Sequence, residues 1–581
     1  MHTLQEARKN NNMKFRIRYT ANSQQHREFK VDLAEIVTDL AGGSIDKTYN
    51  YGNEDLSIDI SCAGERVSVM LGAKTPVTIE KSVFDHEYEY DETCRIFING
   101  YQSWTETREY TTKEKVHNLN RLPRSLKEKY HFEAYGDPWF YRYQDDLWHG
   151  YTYTYVENDK KECDFIGSLN EENAFLIVNH EPWKKVIHLE SDAAGKVVDD
   201  SFKLFDFVNY HGPVKDCLRK YFGNYGKCTA PKIKGYTSWY KDYQNINEAK
   251  MLDALEGIDK EHYDLFQIDD GYETFVGDWL DIDKTKFPNG LKGIVDKVHA
   301  KGLKAGIWLA PFVAETKSRL YREHPEWVLH RNGREVFAGS NWSGDVALDV
   351  RKREVQDYIR ETLSFYAEQG FDFFKLDFLY AAAMCAGDTV DGENDGDGQF
   401  TRAEIMRLAM KGIRDILSDK LILGCGVPLS SAFNLVDYCR IGPDVSLKFD
   451  DAVYMRFMHR ERVSTKTTIQ NTIFRSGFDG TVFRCDPDVY LLRDNAISLN
   501  KKQREALIMI NHLCGSVYMT SDNVKEYDDE KKALLAKAEK LIDAEIVSVS
   551  KKGRYVSIVY KLDGEEKELT YDTRKGVLIN G

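Results

Sequence analysis

Eight strand-like runs alternate with helical stretches from about residue 230 to about residue 545. In chain order the runs are KGYTSWY, DLFQIDD, KAGIWLAP, FDFFKLDF, LILGCGV, DYCRIG, TVFRC and GSVYMTSD. Such alternation is typical of parallel strands covered by helices. Because eight strands and eight helices occupy about 310 residues, a normal size for that fold, the pattern predicts a central (β/α)8 TIM barrel over residues 230–545.

The segments on either side of this barrel have the pattern of β structure. Before it, short runs such as VSVML, RIFING and GYTYTYV are separated by charged turns, which predicts an N-terminal β-sandwich domain over residues 1–229. After it, the tail from Ile546 alternates again and contains a DG turn, which predicts a small C-terminal β module over residues 546–581. We therefore expect a multidomain protein.

Composition excludes several classes of protein. A chain of 581 residues is too long for one hydrophobic core, and its net charge of -14 has the wrong sign for a surface that follows nucleic-acid phosphates. There is no signal-peptide pattern and no apolar stretch of about 18 residues, so we expect a cytoplasmic protein that does not enter a membrane. The 10 cysteines form no CxxC pairs, which indicates reduced thiols, and we expect no metal or other cofactor.

Charged residues at the ends of the predicted strands are the first candidates for a site, because active sites of such barrels lie at the C-terminal ends of the strands. Lys375 and Asp377 are two residues apart and should share one face of the fourth strand. A neighbouring lysine favours an ionised carboxylate, which predicts that Asp377 is a nucleophile. The alternative is a structural ion pair at the end of a strand.

Asp444 follows Gly442 and Pro443 at the mouth of the sixth strand and could face Asp377 across the opening. Two carboxyl groups about 5 to 5.5 Å apart, one a nucleophile and one an acid and base, are the equipment of a retaining glycosidase. Asp269 and Asp270 end the second strand, where neighbouring acids need hydroxyls or a cation as partners. A polyol ligand is the favoured partner and a divalent metal is the alternative.

The loop DGENDGDGQF, residues 391–400, has acidic residues at Asp391, Asp395 and Asp397. An EF-hand calcium loop would need a glutamate where Arg402 stands. We therefore expect a solvated loop that could shape the mouth of a pocket.

These motifs resemble the clan D glycoside hydrolases, and the β domain before the barrel resembles family 36, the bacterial α-galactosidases. The residues that carry the resemblance are FQIDDGYE, GDW, FPNGLK, VHAKGLKAGIWLAP, KLDF, RIGPD and, in the N-terminal domain, FINGYQSW. The resemblance implies an N-terminal β-supersandwich and a retaining exo-glycosidase that removes terminal α-linked galactose. It further implies that Asp377 is the nucleophile and Asp444 the acid and base, that Asp269, Asp270, Lys375 and Arg440 bind sugar hydroxyls, and that Trp308 forms a wall of the pocket.

The chain departs from this family at three places. Ala310, Pro311 and Phe312 stand where EPE is usual, SNWSGD replaces a segment with an expected arginine, and GCGVPLSSAF replaces a glycine-rich fifth strand. In related enzymes the fifth strand faces the substituent on sugar C2, so Cys425 and Gly426 are predicted to contact it. Because Gly426 is small, an α-N-acetylgalactosaminidase is the main alternative, although Leu429 could refill the space.

Two alternatives come from other classes of protein. A non-catalytic sugar-binding protein would have no reason to keep Asp377 opposite Asp444. A metal-dependent lyase or isomerase on the same barrel would lose activity with a chelator. Relatives in the resembled family often form dimers or tetramers, so a homo-oligomer is also possible. The expected partner of the chain is a carbohydrate with a terminal α-galactosyl or α-N-acetylgalactosaminyl unit.

Overall fold

The computed structural model describes residues 13–21, 25–42, 46–114, 123–142, 144, 147–331, 333–385, 398–450 and 460–580. The N-terminal part is almost entirely β structure. Its strands are β1 Met13–Ala21, β2 Gln25–Asp32, β3 Asp46–Gly52, β4 Leu56–Ala63, β5 Arg66–Ala73, β6 Val77–Glu87, β7 Arg95–Ile98, β8 Arg108–Tyr110, β9 Trp148–Tyr151, β10 Tyr153–Glu157, β11 Cys163–Ser168, β12 Leu176–Glu181, β13 Val186–Ser191, β14 Val197–Val198 and β15 Ser201–Gly212. Its helices are α1 Ala34–Gly42, α2 Arg124–Tyr130 and α3 Val214–Phe222.

These strands form two antiparallel sheets that share a hydrophobic core. One sheet has the order β2-β1-β6-β13-β12-β9, with β14 beside β6, and the other has the order β3-β4-β5-β15-β11-β10-β7-β8. In β4 every second side chain is buried, as expected for a strand with one face on a core. Phe84 of the first sheet and Phe205 of the second meet with ring centroids 5.3 Å apart, so the inner faces of the two sheets are in contact.

The central part alternates strands and helices. Its strands are β16 Ile233–Thr237, β17 Leu265–Ile268, β18 Lys304–Leu309, β19 Val313–Glu315, β20 His330–Arg331, β21 Arg334–Glu335, β22 Phe337–Gly339, β23 Asp345–Ala347, β24 Phe373–Leu376, β25 Leu421–Gly424, β26 Tyr438–Arg440, β27 Arg484–Asp486, β28 Val489–Tyr490 and β29 Val517–Thr520. Its helices are α4 Trp239–Asp242, α5 Glu248–Glu256, α6 Lys292–Ala300, α7 Arg319–Glu323, α8 Arg353–Glu368, α9 Arg402–Ile416, α10 Thr465–Phe474, α11 Lys501–Cys514 and α12 Asp529–Glu539.

A parallel sheet runs through this part in the order β27-β26-β25-β24-β18-β17-β16-β29-β28. Each of the eight strand-like runs predicted from the sequence overlaps a strand of this sheet. The seventh strand comes in two pieces: β27 pairs with β26, and β28 pairs with β29. Asp488, between the two pieces, has a left-handed φ of 72° that redirects the chain. Because β29 also pairs with β16, the sheet curls until its last predicted strand lies beside its first.

The third βα connection carries short strands that the sequence did not predict. Strands β19, β23 and β22 form one small sheet, and β20 and β21 form another. Strands of two or three residues are too short to show alternation of apolar and polar residues, which is why this insertion was missed.

The C-terminal strands are β30 Glu545–Lys552, β31 Tyr555–Leu562, β32 Glu565–Asp572 and β33 Val577–Asn580, in one antiparallel sheet. Asp563 and Gly564 connect β31 to β32 with φ angles of 55° and 82°. Two left-handed residues make the tight hairpin turn that a DG pair favours. The DG turn therefore lies where the sequence placed it, while the domain boundaries at 229/230 and 545/546 stay predictions.

The side chain of Arg475, just after α10, joins the N-terminal part to the central sheet. It is fully buried, and its guanidinium donates hydrogen bonds to the carbonyls of Ser103 (2.6 Å), Ile441 (2.8 Å), Gln102 (3.1 Å) and Gly100 (3.3 Å). Its Nε also lies 3.4 Å from the side-chain oxygen of Asn99. Burial lowers the pKa of this guanidinium, so the carbonyl contacts must offset a desolvation cost.

We expect Arg475→Met to destabilise the protein by about 3 kcal/mol or more, because several buried carbonyls lose a charged donor at once. The measurement is the midpoint of urea unfolding. Arg353→Met is the matched control, since Arg353 is exposed on α8 and makes only a 3.6 Å ion pair with Asp357. Equal midpoints for the two variants would contradict the role given to Arg475.

Candidate active site

A cavity of about 1090 Å³ opens at the carboxyl ends of the parallel strands. Most of the residues predicted from the sequence line it. They are Asp269, Asp270, Trp308, Lys375, Asp377 and Asp444. The carboxyl ends of neighbouring parallel strands meet at one edge of a sheet, which explains why residues so far apart in the sequence converge here.

Asp377 follows β24 and is held by two N–H donors. The indole Nε1 of Trp308 donates to Oδ2 over 3.1 Å, and the backbone N–H of Phe378 donates to Oδ1 over 2.9 Å. Phe378 has a φ of 54°, an unusual value for a bulky residue, and this turns the chain immediately after the carboxylate. The orientation of Asp377 in the cavity is therefore fixed from both oxygens.

Lys375 pairs with Asp269 and not with Asp377, which corrects the pairing expected from the sequence. Its Nζ lies 2.9 Å from Oδ2 of Asp269. Burial lowers the pKa of Lys375, but attraction to Asp269 and, less strongly, to Asp377 outweighs it and leaves the pKa above its ordinary value. Side chains two apart on a strand share a face, but the longer lysine reaches across to the strand two positions away in the sheet.

Asp269 also accepts hydrogen bonds from Gln267 Nε2 (2.6 Å) and Thr237 Oγ1 (3.1 Å). These bonds and Lys375 all go to the same oxygen, Oδ2. The other oxygen, Oδ1, accepts the backbone N–H of Asp270 at 3.0 Å. Asp269 is therefore anchored by the floor of the cavity before any ligand binds.

Asp270 is held by donors that the sequence did not reveal. Gln244 Nε2 lies 3.0 and 3.1 Å from its two oxygens, and the indole Nε1 of Trp342 donates to Oδ2 over 2.9 Å. Burial raises the pKa of Asp270, and burial followed by repulsion from Asp270 raises the pKa of Glu273 well above its ordinary value. Gln244 and Trp342 come from loops with no periodic pattern, so only the structure connects them to Asp270.

Arg440 lies behind Asp444. It is 3% exposed, and its guanidinium contacts three carboxylates: Asp488 at 2.8 Å, Asp444 at 3.0 Å and Asp486 at 3.0 Å. The side chain of Asp444 is 42% exposed and faces the cavity. Arg440 does not belong to the described residues that line the cavity. Its ion pair orients Asp444, and its contact with sugar hydroxyls stays a prediction.

Cys425 and Gly426 do not belong to the described residues that line the cavity. Cys425 is buried, and Gly426 has a φ of 56°. A Cβ atom on Gly426 would lie 2.9 Å from Cζ2 of Trp104 and 3.2 Å from the backbone nitrogen of Phe378. The space beside Gly426 is therefore filled by Trp104, an indole from the N-terminal part of the chain that itself lines the cavity.

Comparisons with known proteins agree with this arrangement. The Melibiase family model matches residues 209–408. Alpha-galactosidase AgaA of Geobacillus stearothermophilus is 34% identical over 134 residues, which are 22% of this chain and 18% of that protein. Alpha-galactosidase Mel36A of Lactobacillus acidophilus is 32% identical over 148 residues, 24% of this chain and 20% of that protein. The resemblance to glycoside hydrolase family 36 is confirmed.

Solved structures show the same fold over nearly the whole chain. TtGalA, an α-galactosidase from Thermus thermophilus, has a TM-score of 0.68 at 23% identity and covers 90% of this chain and 98% of its own. The family 36 AgaA structure from Geobacillus stearothermophilus has a TM-score of 0.59 at 12% identity, over 89% of this chain and 72% of its own. By contrast, the sequence alignments with AgaA and Mel36A span only about a fifth of those relatives.

The Melibiase match includes most of the cavity floor but not all of it. Residues 209–408 include Asp269, Asp270, Trp308, Lys375 and Asp377, whereas Asp444 lies beyond them. The family 36 resemblance at Asp444 therefore depends on the motif RIGPD and on the shared fold.

Among the residues that the structure describes, the divalent-metal alternative stays open. None of those residues form a group of three or more His, Cys, Asp or Glu side chains able to hold a metal ion. Asp391, Asp395 and Asp397 of the acidic loop lie outside the described residues.

Within the described ranges, no helix is both long enough and apolar enough to cross a bilayer. The homo-oligomer stays a prediction.

Glu461 is a further acid of the cavity wall that the sequence did not indicate. It is 5% exposed, and Thr105 Oγ1, next to Trp104, donates to its Oε1 over 2.7 Å. Burial, followed by repulsion from Asp137, raises the pKa of Glu461 to about 8. None of the motifs quoted from the sequence includes this position, and no local pattern distinguishes it from a surface glutamate.

We expect this acid to make stability depend on pH. The pKa of Glu461 is about 8 in the folded protein and 4.5 for the unperturbed group, so the folded state holds an extra proton between these values. The stability that this proton contributes is fully present below pH 4.5 and is lost as the pH rises from there through 8. Glu461→Gln should therefore lose less stability than the wild type between pH 5 and pH 9, as measured by urea unfolding.

The control for this measurement is Glu361→Gln, which alters an exposed glutamate of α8. It should follow the wild-type curve. If Glu461→Gln follows that curve as well, Glu461 does not carry the extra proton.

Proposed function

We propose that the chain is a retaining exo-glycosidase that hydrolyses terminal α-linked galactose from oligosaccharides or glycoconjugates. Its catalytic unit would be a (β/α)8 barrel, flanked by an N-terminal β-supersandwich and a C-terminal β module. The observation that carries the proposal is that Asp377 and Asp444 line one cavity together with Asp269, Asp270 and Lys375. The names of AgaA and Mel36A as α-galactosidases support it, as does the complex of TtGalA with p-nitrophenyl α-D-galactopyranoside.

In the first step Asp377 attacks the anomeric carbon while Asp444 protonates the departing oxygen. The bond from that carbon to the leaving oxygen breaks, a bond to an oxygen of Asp377 forms, and the proton of Asp444 moves to the leaving alcohol. Trp308 and the backbone of Phe378 hold the attacking carboxylate in place. Arg440 contacts Oδ1 of Asp444, which leaves the other oxygen of that carboxyl group for the proton.

In the second step water replaces Asp377. Asp444, now a carboxylate, takes a proton from the water, whose oxygen attacks the anomeric carbon and releases Asp377. Two displacements at one carbon return the original configuration, so the sugar is released as the α-anomer. The exposure of Asp444 toward the cavity gives water access to the base.

Asp269, Asp270 and Lys375 are proposed to select the sugar, and Trp308 to form the wall beside it. All four side chains are buried on the floor of the cavity, where an unpaired polar group is costly. A galactoside would complete their hydrogen bonds, and its 4-epimer would leave one of them unmet. We therefore propose strong discrimination against glucosides.

We expect Asp377→Asn to abolish hydrolysis, with a loss of at least about a thousandfold in kcat, because an amide cannot form the glycosyl intermediate. The measurement is steady-state hydrolysis of p-nitrophenyl α-galactoside. Asp357→Asn, an exposed change on α8, is the control and should retain the wild-type rate. A wild-type rate in Asp377→Asn would remove this residue from the mechanism.

Asp444→Asn should slow the first step least for substrates with acidic leaving groups, which need little protonation. Its loss of kcat/KM should be smaller on p-nitrophenyl α-galactoside than on methyl α-galactoside. Equal losses on the two substrates would argue against an acid role.

NMR of the first sugar released by the wild type should show α-galactose, and β-galactose would contradict the double displacement.

The second candidate function is that of an α-N-acetylgalactosaminidase. The resemblance implies that the fifth strand faces sugar C2, and Trp104 stands beside Gly426 in the space that an N-acetyl group would need. This contact favours a hydroxyl at C2 more strongly than the bulk of Leu429, which is buried away from the cavity surface.

We expect kcat/KM to be at least about tenfold higher for aryl α-galactoside than for aryl α-N-acetylgalactosaminide. Trp104→Ala should reduce that ratio by making room beside Gly426. A wild-type preference for the N-acetyl substrate would overturn the choice of sugar without affecting the mechanism. Addition of a chelator should leave the rate of hydrolysis unchanged. A loss of activity with the chelator would favour the metal-dependent alternative.

A further inference from the structure

The mouth of the cavity carries apolar side chains that water reaches. Leu126 and Tyr130 of α2 are each 40% exposed, and Val463 is 37% exposed. All three line the same cavity as the acids of the floor. Large apolar side chains that cluster at the rim of a cavity are typical of a binding surface, whereas single exposed ones need no explanation.

Two further residues from the same stretch of chain as Leu126 and Tyr130 are apolar as well. Pro123 and Phe132 also line the cavity, and the rings of Tyr130 and Phe132 stack with centroids 5.4 Å apart and an angle of 22° between their planes. Together, Pro123, Leu126, Tyr130, Phe132 and Val463 form what we call the apolar rim.

Charged groups on α2 have partners within the helix and just beyond its end. Arg124 pairs with Glu128 at 2.6 Å, and Lys127 pairs with Glu133. The ammonium group of Lys129 lies 5.1 Å from the centre of the Tyr130 ring. The helix therefore presents leucine and tyrosine to the cavity while its salt bridges lie along its own surface.

The position of the apolar rim fits the part of a substrate that leaves. Asp269 and Asp270 at the floor are each 2% exposed, whereas the rim is open to water. In an exo-acting enzyme the terminal sugar occupies the closed end and the leaving group points outward. A cavity of about 1090 Å³ exceeds what one sugar ring fills, since cavities of about 300–1,000 Å³ hold drug-sized ligands.

We propose that the apolar rim is a leaving-group subsite that favours α-galactosides of alkyl or lipid-type alcohols over α-galactosyl oligosaccharides. This inference rests on the proposed function. A hydrocarbon chain gains free energy from burial against leucine, valine and aromatic rings, whereas a second sugar would need hydroxyl partners that the rim residues other than Tyr130 lack.

The test is a series of methyl, butyl and octyl α-galactosides, used below their micelle-forming concentrations. The three leaving alcohols have nearly equal acidity. Differences in kcat/KM therefore measure contacts between the protein and the alkyl group, not differences in leaving-group ability. We expect kcat/KM to rise by about two- to fourfold per methylene while the alkyl chain of the substrate covers the rim, the higher value being that of a fully buried methylene. Octyl α-galactoside should also exceed raffinose in kcat/KM.

Leu126→Ser and Tyr130→Ser should each reduce the octyl-to-methyl ratio of kcat/KM by several-fold. Leu408→Ser is the matched control, because Leu408 is 57% exposed on α9 and does not line this cavity; it should keep the wild-type ratio. Circular dichroism and the thermal midpoint of each variant verify that the fold is intact.

The outcomes separate the inference from the function on which it rests. Hydrolysis of all three galactosides with no dependence on chain length, or a preference for raffinose over octyl galactoside, overturns the apolar subsite and leaves the α-galactosidase proposal standing. A ratio that is unchanged in both rim variants also overturns it. Failure to hydrolyse any galactoside overturns the proposed function itself.

Discussion

The hydrogen bonds of Arg475 hold the two halves of the site together. One guanidinium binds backbone carbonyls of residues 100–103, just before Trp104, and the carbonyl of Ile441, three residues before Asp444. A protonated guanidinium can satisfy so many acceptors because it offers five donors in a rigid plane. Arg475 therefore fixes the position of the loop that carries Trp104 relative to the segment that carries Asp444.

The sequence predicted the fold where periodicity was long enough to be informative. The eight runs of the central part each overlap a strand, and the DG pair at Asp563 and Gly564 forms its hairpin turn. The strands β19 to β23 escaped prediction because two or three residues carry no period. The break at Asp488 escaped it too, since a left-handed aspartate has no signature distinct from an ordinary turn.

The candidate site was predictable to the extent that its residues end strands. Asp269 and Asp377 were found in this way, but their partners were not, because hydrogen-bond partners depend on side-chain reach across the sheet. Lys375 was assigned to Asp377 from spacing, and it binds Asp269 instead. Trp104 of the N-terminal part and Glu461 of the central part lie in loops, and no spacing in the sequence links them to the strands.

The long sequence separation of the Arg475 contacts has a consequence for synthesis of the chain. Ser103 precedes its arginine partner by 372 residues. At about 5–20 residues per second, a ribosome needs on the order of tens of seconds to make that interval. During this time the N-terminal sheets can already pair their strands, while water is the partner of the loop carbonyls that Arg475 later binds. The contact between this loop and Arg475 therefore forms only after the segment that follows α10 has been made.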